Sequence, residues 1–168
     1  MKTYGSYNKR VFVYGPLRFP EVMELIAGRQ YPGTKATLRV YACVRVNDQV
    51  YPGLVYKPSA QTEGFLYEDM DDAVVKRIEA FKGDMYKLSA LEVDTFDGRK
   101  LGAAVHITKP EYRNSLLNEL WNADAFRQNQ LTEFLRVHAD FQKKWKLYSE
   151  YLSRPQSDDG THCLAATQ

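Results

Sequence analysis

A nine-residue stretch near the start of the chain, residues 10–18, constrains the fold most; it has the sequence Arg-Val-Phe-Val-Tyr-Gly-Pro-Leu-Arg. Its apolar part, 11–13, is β-branched or aromatic and favours a short buried strand. Gly15 and Pro16 end that strand abruptly, and a helix is predicted to begin near Pro20. We expect the backbone amides of Leu17 and Arg18 to be free after the turn and to face an anion or carboxylate. A purely structural strand–turn–helix has the same pattern.

The composition limits the classes of protein that this chain represents. With 168 residues, it is long enough to bury the core of one domain. Its net charge of only +2 argues against a nucleic-acid partner. Two cysteines make no disulfide framework, and three histidines without ligand spacing predict no metal site. No apolar run approaches the ~20 residues of a membrane span, and the N-terminus lacks the apolar segment of a secretory signal. We therefore expect a cytoplasmic protein without a membrane partner, of undetermined oligomeric state.

Strand and helix patterns alternate through the body of the chain. Apolar alternation predicts strands, and apolar spacing of three and four residues predicts helices. The predicted elements are a helix over 20–27, strands over 35–46, 50–55 and 62–67, a helix that starts at Asp71 or Asp72 and ends at Gly83, and a hairpin of 85–93 and 101–107. A turn is expected at Lys57, Pro58 and Ser59.

The C-terminal part has a different pattern. From 122 to 152 the apolar residues recur at helical spacing, which predicts one long amphipathic helix. Phe134, His138, Phe141 and Trp145 form its apolar stripe, and we expect this stripe to pack on the body of the domain. The predicted organisation is a domain over 10–110, a helical extension over 111–154 packed on it, and a flexible tail over 155–168.

Four short motifs occur in an order that resembles the γ-glutamylcyclotransferase superfamily, specifically its AIG2-like branch. They are the Val-Phe-Val-Tyr-Gly-Pro-Leu segment 11–17, the Tyr-Pro-Gly segment 51–53, the Glu-Gly pair 63–64, and the segment 78–83 followed by Tyr86. The likeness covers about residues 10–110, and the helix after Trp121 and Asn122 resembles the branch's C-terminal extension. It implies an α+β fold in which a small mixed β-barrel is flanked by short helices, with a long C-terminal helix added.

The resemblance also implies a chemistry without metal or cofactor. The Tyr-Gly loop would hold a γ-glutamyl group, and a glutamate would take a proton from the substrate's α-amine. That amine would attack its own γ-carbonyl and release 5-oxoproline. The implied partner is a small γ-glutamyl or other amino-acid-derived molecule. The implied substrate-binding residues are Tyr14, Gly15, Pro16, Leu17, Arg18, Tyr51, Pro52, Gly53 and Tyr86.

The chain departs from the family pattern at the expected catalytic position. The family's Phe-Glu-Gly segment is Phe-Lys-Gly here, so Lys82 stands where the glutamate is expected. Pro16 also replaces a common Thr or Ser, which removes one side-chain donor from the loop. An ammonium has no lone pair to accept a proton, so Lys82 acts as a base only if burial lowers its pKa by roughly three units from ~10.4. Three other carboxylates are fallback bases: Glu79, Asp84 and Glu63. Each also has a simple structural explanation as a solvated, turn or ion-paired residue.

Three functions remain open at this point. We favour an enzyme with a different substrate, in which Lys82 is the base, a carboxylate anchor or an electrostatic stabiliser. The second is a non-catalytic binder of a small ligand or a protein that kept the fold. The third is ordinary γ-glutamyl cyclisation with another carboxylate as base.

Overall fold

The structure, a computed structural model, describes residues 9–155. Six strands and five α-helices follow one another along the chain. The strands are β1 (Val11–Val13), β2 (Gly33–Val46), β3 (Pro52–Tyr67), β4 (Tyr86–Thr95), β5 (Lys100–Thr108) and β6 (Leu116–Leu120). The helices are α1 (Pro20–Ala27), α2 (Asp72–Lys82), α3 (Ala123–Asn129), α4 (Leu131–Val137) and α5 (Phe141–Ser153). Two 3-10 helices, Gly15–Arg18 and Pro110–Ser115, connect them. No described helix is both long and apolar enough to span a bilayer.

Five of the strands close into a mixed barrel. The order is β3, β1, β5, β4 and β2, and β2 pairs again with β3. The β1–β5 pair is parallel and the other pairs are antiparallel, while β6 extends the sheet from β2. The predicted α+β class, a mixed barrel with flanking helices, is confirmed. The closure is narrow: β2 pairs with β4 only where Ala36 and Thr37 lie opposite Thr95 and Asp94. Among the described residues, the edge of β4 over 86–93 therefore has no strand partner on that side.

The long β2–β3 ribbon corrects one prediction. The sequence predicted two strands, 50–55 and 62–67, separated by a turn at Pro58, but β3 runs unbroken over Pro52–Tyr67. The register between β2 and β3 shifts between Arg39 and Tyr41, and Val40 between them has a φ of 60°. A proline is tolerated at such an irregularity because a regular ladder hydrogen bond is not required there. Pro58 therefore accompanies a bulge and does not end the strand.

The core forms two layers, as the alternation of side chains along β1 requires. Phe12 points into the barrel, whereas Val11 and Val13 point to the helices. The inner cluster draws on all five barrel strands and consists of Phe12, Tyr14, Ala36, Leu38, Leu54, Leu66, Val93, Ala103 and Val105. The outer cluster joins the barrel to α1, α2, α3 and α4. The C-terminal end of α1 is fixed from two sides: Arg77 Nη1 donates to the Ala27 carbonyl at 2.7 Å and Gln142 Nε2 donates to the Leu25 carbonyl at 2.8 Å.

The C-terminal segment corrects a second prediction. A C-terminal helix is present as α5, but the predicted continuous helix over 122–152 is broken into α3, α4 and α5 by Gln130 and by the turn at 138–140. The breaks keep the apolar residues on one side, so Phe134 and Phe141 both pack edge-to-face on Phe81. Trp145 is only half-buried, and α5 has no buried residue. The predicted apolar stripe thus packs on the rest of the domain as far as Phe141. The predicted tail lies outside the described residues from 156 onward.

Candidate functional site

Three elements meet around Lys82 at one end of the barrel. Lys82 is the last residue of α2, Tyr14 follows β1, and Tyr86 begins β4. The Lys82 ammonium nitrogen lies 4.4 Å from the centroid of the Tyr14 ring and 5.0 Å from that of Tyr86. Among residues 9–155, no ion pair involves Lys82. The cation is therefore held by two aromatic faces, whose negative quadrupoles attract it, without a carboxylate beside it.

Burial sets the charge state of this centre. It lowers the pKa of Lys82 from its ordinary 10.5 to about 8, against a smaller raising effect from Cys43. At pH 7 about one tenth of the Lys82 amines are then neutral and carry a lone pair. Burial raises the pKa of Tyr14 and of Tyr86, so neither phenol ionises near neutral pH. Lys82 is thus the group of this centre whose proton moves most readily near physiological pH.

The two tyrosine rings are fixed by hydrogen bonds to the backbone. Tyr14 Oη donates to the carbonyl of His106, and Tyr86 Oη donates to the carbonyl of Pro52 at 2.5 Å. Both phenol protons are spent on these bonds, which hold the rings over Lys82. The two rings are therefore fixed in place beside the Lys82 amine.

Two of the family-like motifs touch each other beside this centre. Gly15 has a φ of +72°, and a Cβ there would lie 2.7 Å from the ring of Pro52. A Cβ on Gly53 would lie 2.8 Å from Thr108 Oγ1, which accepts a hydrogen bond from the Leu54 amide at 3.0 Å. Glycine is required at both positions because the chains approach too closely for a side chain. Tyr51 is near enough to raise the pKa of Tyr86, so the whole 51–53 segment borders the site.

The residues of the loop after Tyr14 lie in different surroundings. Gly15–Arg18 is a 3-10 helix, and Phe19 N donates to the Pro16 carbonyl at 3.1 Å. The amide cradle expected at Leu17 and Arg18 stays a prediction. Leu17 is buried in the outer core cluster, and Arg18 lines a separate cleft.

The three fallback carboxylates are all exposed to solvent. Glu79 and Asp84 are exposed, on α2 and after its end. Glu63 is exposed on β3 and lines a cleft of about 480 Å³ together with Arg18. None of them pairs with or hydrogen-bonds to Lys82. In the described part of the chain, the site therefore has an amine where proton abstraction by a carboxylate was expected.

The comparisons with known proteins identify the family. The sequence matches the family described as gamma-glutamyl cyclotransferase, AIG2-like, over residues 11–124. The chain belongs to this family. It is similar to AIG2-like protein C of Arabidopsis thaliana, with 25% identity over 144 residues that cover 85% of this chain and 83% of that protein. The assignment to the AIG2-like branch made from the motifs is confirmed.

Solved structures show the same fold. A solution structure of an Arabidopsis thaliana protein aligns with a TM-score of 0.61 at 19% identity and covers 95% of this chain and 94% of that one. A structure described as gamma-glutamyl cyclotransferase aligns with a TM-score of 0.55 at 15% identity and covers 79% and 85%. These alignments establish the AIG2-like barrel fold. Because the sequence identities are low, the alignments do not extend to the activity of this member, which has to be inferred from its own residues.

Three residues that the sequence analysis did not select belong to the surroundings of this AIG2-like site. Cys43 and His106 lie close enough to Lys82 to interact with its charge, and Thr108 touches the 51–53 segment. Burial raises the pKa of Cys43 to about 12 and lowers that of His106 to about 3, so both are uncharged near neutral pH. His106 Nε2 is buried without a hydrogen-bond partner in the described structure. The available signal for His106 was a single polar residue inside the otherwise apolar run 101–107.

Proposed function

We propose that this AIG2-like protein is an enzyme that acts on a small amino-acid-derived molecule, with Lys82 as the reactive group. The observation that carries the proposal is the Lys82 amine, enclosed between the Tyr14 and Tyr86 rings with no carboxylate beside it. A buried amine with a pKa of about 8 is matched to proton transfer near neutral pH. The implied ligand is a small molecule, either a γ-glutamyl compound or another amino-acid derivative.

The chemistry proposed for Lys82 has two stages. The neutral amine accepts a proton from the substrate, and the ammonium so formed stabilises the negative charge that develops on an adjacent oxygen. Tyr14 and Tyr86 support both stages because their rings attract the cation. Positioned proton transfer of this kind is typically worth 10²–10⁴-fold in rate.

Ordinary γ-glutamyl cyclisation is a poorer fit to this centre. That reaction starts from a substrate α-ammonium, and about nine tenths of the Lys82 side chains are also cationic at pH 7. Two ammonium groups at one site repel each other. Glu79, Asp84 and Glu63 are exposed and form no ion pair with Lys82, so they support this alternative weakly.

A non-catalytic binder is the second candidate, and one observation favours it. Both tyrosine hydroxyls are committed to backbone carbonyls, so neither phenol completes a catalytic pair with Lys82. A lone cation between aromatic faces is also a suitable anchor for a ligand carboxylate.

The deciding experiment compares turnover by three proteins on one substrate panel. The panel contains γ-glutamyl amines, γ-glutamyl amino acids and related amino-acid amides, and products including 5-oxoproline are detected by mass spectrometry. We expect the unmodified protein to convert a panel member without releasing 5-oxoproline, and Lys82→Met to abolish that conversion. Lys76→Met, an exposed lysine on the same helix, is the matched control and should keep full activity.

Lys82→Glu tests the chemistry that the family resemblance implies at the same position. It places a carboxylate where the family's base is expected, and a gain of 5-oxoproline release would show that the pocket still accepts γ-glutamyl groups. If the unmodified protein already releases 5-oxoproline at a rate insensitive to Lys82→Met, the proposed role of Lys82 is wrong. Saturable, Lys82-dependent binding of a panel member without any turnover would establish the binder instead.

A further inference from the structure

A second cleft opens in the side of the barrel, at the gap where β2 and β4 separate. Its volume is about 260 Å³, and its floor is formed by Leu54, Leu91 and Ile107. Leu54 belongs to the inner core of the barrel, and Leu91 and Ile107 pack against it. The cleft shares Leu54 and Thr108 with the surroundings of the Lys82 centre, but Tyr14, Lys82 and Tyr86 do not line it. It is therefore a distinct opening with an apolar floor.

The rim of this cleft carries two cations and no acid. Lys87 and Arg113 line it, whereas no Asp or Glu does. Neither cation forms an ion pair with any residue of the described chain. Ser89 and Thr108 add hydroxyl groups. Because two unpaired positive charges face an apolar floor, the complementary ligand has a negative head and an apolar body.

Two tyrosines contribute aromatic rings to the lining of the cleft. Tyr41 and Tyr56 lie opposite each other on β2 and β3, with ring centroids 5.8 Å apart in an edge-to-face arrangement. Tyr56 is 59% exposed, so its ring is available to a ligand. Aromatic rings prefer offset or edge-to-face contact with another ring, which favours a ligand that is itself planar.

The unpaired strand edge provides further recognition groups. The edge of β4 over 86–93 has no strand partner on the side facing β2 among residues 9–155. Backbone donors and acceptors on such an edge bond either to water or to a ligand. A cleft of about 260 Å³ is too small for several residues of an added peptide strand, but it holds a one- or two-ring molecule.

We infer that this cleft, lined by Tyr41, Tyr56, Lys87 and Arg113, binds a small aromatic carboxylate. The rings of the tyrosines contact the ligand ring, and the Lys87 and Arg113 cations contact the carboxylate. This binding site is independent of the chemistry at Lys82.

The test uses 2-naphthoate as the probe and 2-naphthamide as its neutral match. Calorimetric titration measures affinity, and amide chemical-shift changes in ¹⁵N-labelled protein locate the site. We expect saturable binding of 2-naphthoate with shifts at Ser89, Ile107 and Thr108. The amide should bind about tenfold more weakly or worse, since hydrogen bonds to charged groups contribute about 1.5–3 kcal/mol.

Variants separate local recognition from general charge attraction. The double variant Lys87→Gln/Arg113→Gln should weaken 2-naphthoate binding by about tenfold or more. The matched double variant Lys76→Gln/Lys143→Gln removes the same charge from exposed helix positions and should bind as the unmodified protein does.

Four results would overturn the inference. They are no saturable binding at millimolar 2-naphthoate, equal affinity for the amide, equal weakening by both double variants, and competition by inorganic phosphate at equal affinity. Should the first double variant fail to fold, the comparison of naphthoate with naphthamide on the unmodified protein still decides the matter.

Discussion

Replacing Lys82 with Met should stabilise the protein at neutral pH, because the buried ammonium is costly to keep. Burial lowers the pKa of Lys82 from 10.5 to about 8, and at about 1.4 kcal/mol per pH unit this corresponds to about 3 kcal/mol. The Tyr14 and Tyr86 rings offset part of that cost, by about 0.5–2 kcal/mol. Met has a similar length and no charge. We therefore expect Lys82→Met to raise the free energy of unfolding by about 1–3 kcal/mol at pH 7.

The sign of the pH dependence follows from which state holds the proton. Below pH 8 the amine is protonated in both the folded and the unfolded protein, so the full penalty is present. Between about 8 and 10.5 the unfolded state binds more protons than the folded state, and the stability of the unmodified protein therefore rises relative to Lys82→Met. Above 10.5 the amine is neutral in both states and the penalty is gone. Tyr14, Tyr86 and Cys43 also titrate at alkaline pH, but they are present in both proteins, so the difference isolates Lys82.

Urea unfolding followed by circular dichroism at pH 7 and at pH 10.5 measures this difference. The control is Lys76→Met on the exposed side of α2, which should change stability little at either pH. A loss of stability on Lys82→Met at pH 7 would contradict the reasoning, and so would a gain that stays the same at both pH values. Either result would mean that the amine is well solvated or has a partner, and the proposed catalytic role would lose its basis.

Four further substitutions test the packing by thermal and urea denaturation. Gly64→Ala would press a methyl group onto the Val13 carbonyl and should lower the free energy of unfolding by about 1–3 kcal/mol or more. At Gly98 a methyl group would meet nothing within 4 Å. Gly98→Ala should therefore cost only the backbone strain of its φ of +88°, about 1–2 kcal/mol. Phe126→Ala should cost about 3–5 kcal/mol because the ring is 1% exposed. Trp145→Ala should cost less than about 1.5 kcal/mol, since α5 has no buried residue; a loss as large as that of Phe126→Ala would show that this half of α5 is packed.

The parts of the fold that depend on neighbours in sequence were predictable. The strand, turn and helix of 11–27 and the β4–β5 hairpin follow from apolar periodicity and from the glycines and prolines that interrupt it. The turn predicted at Pro58 was wrong because proline is common both in turns and at β-bulges. Which of the two forms depends on how β2 pairs with β3 at this point, and the local sequence does not contain that information. The breaks in the C-terminal helices were hidden because the apolar spacing continues across the turn at 138–140.

The candidate site was predictable only through its resemblance to a family. Tyr14, Lys82 and Tyr86 are far apart in sequence, and no local pattern brings them together. Motif order identified them, but it did not identify Cys43 and His106, whose proximity to Lys82 depends on strand pairing and on the twist of the barrel. The conformation of the turn after Gly15 was also beyond local reasoning. The sequence there is compatible with an open turn, and the structure has a 3-10 helix over Gly15–Arg18.

The contact between Gly15 and Pro52 has a consequence for how this family diverges. A methyl group at position 15 would occupy the space of the proline ring, and the φ of +72° strains any side chain at position 15 even without that contact. A smaller residue at position 52 would relieve the clash but not the strain. We therefore expect relatives to keep glycine at position 15 more strictly than proline at position 52, so a search for distant relatives gains most from weighting the glycine.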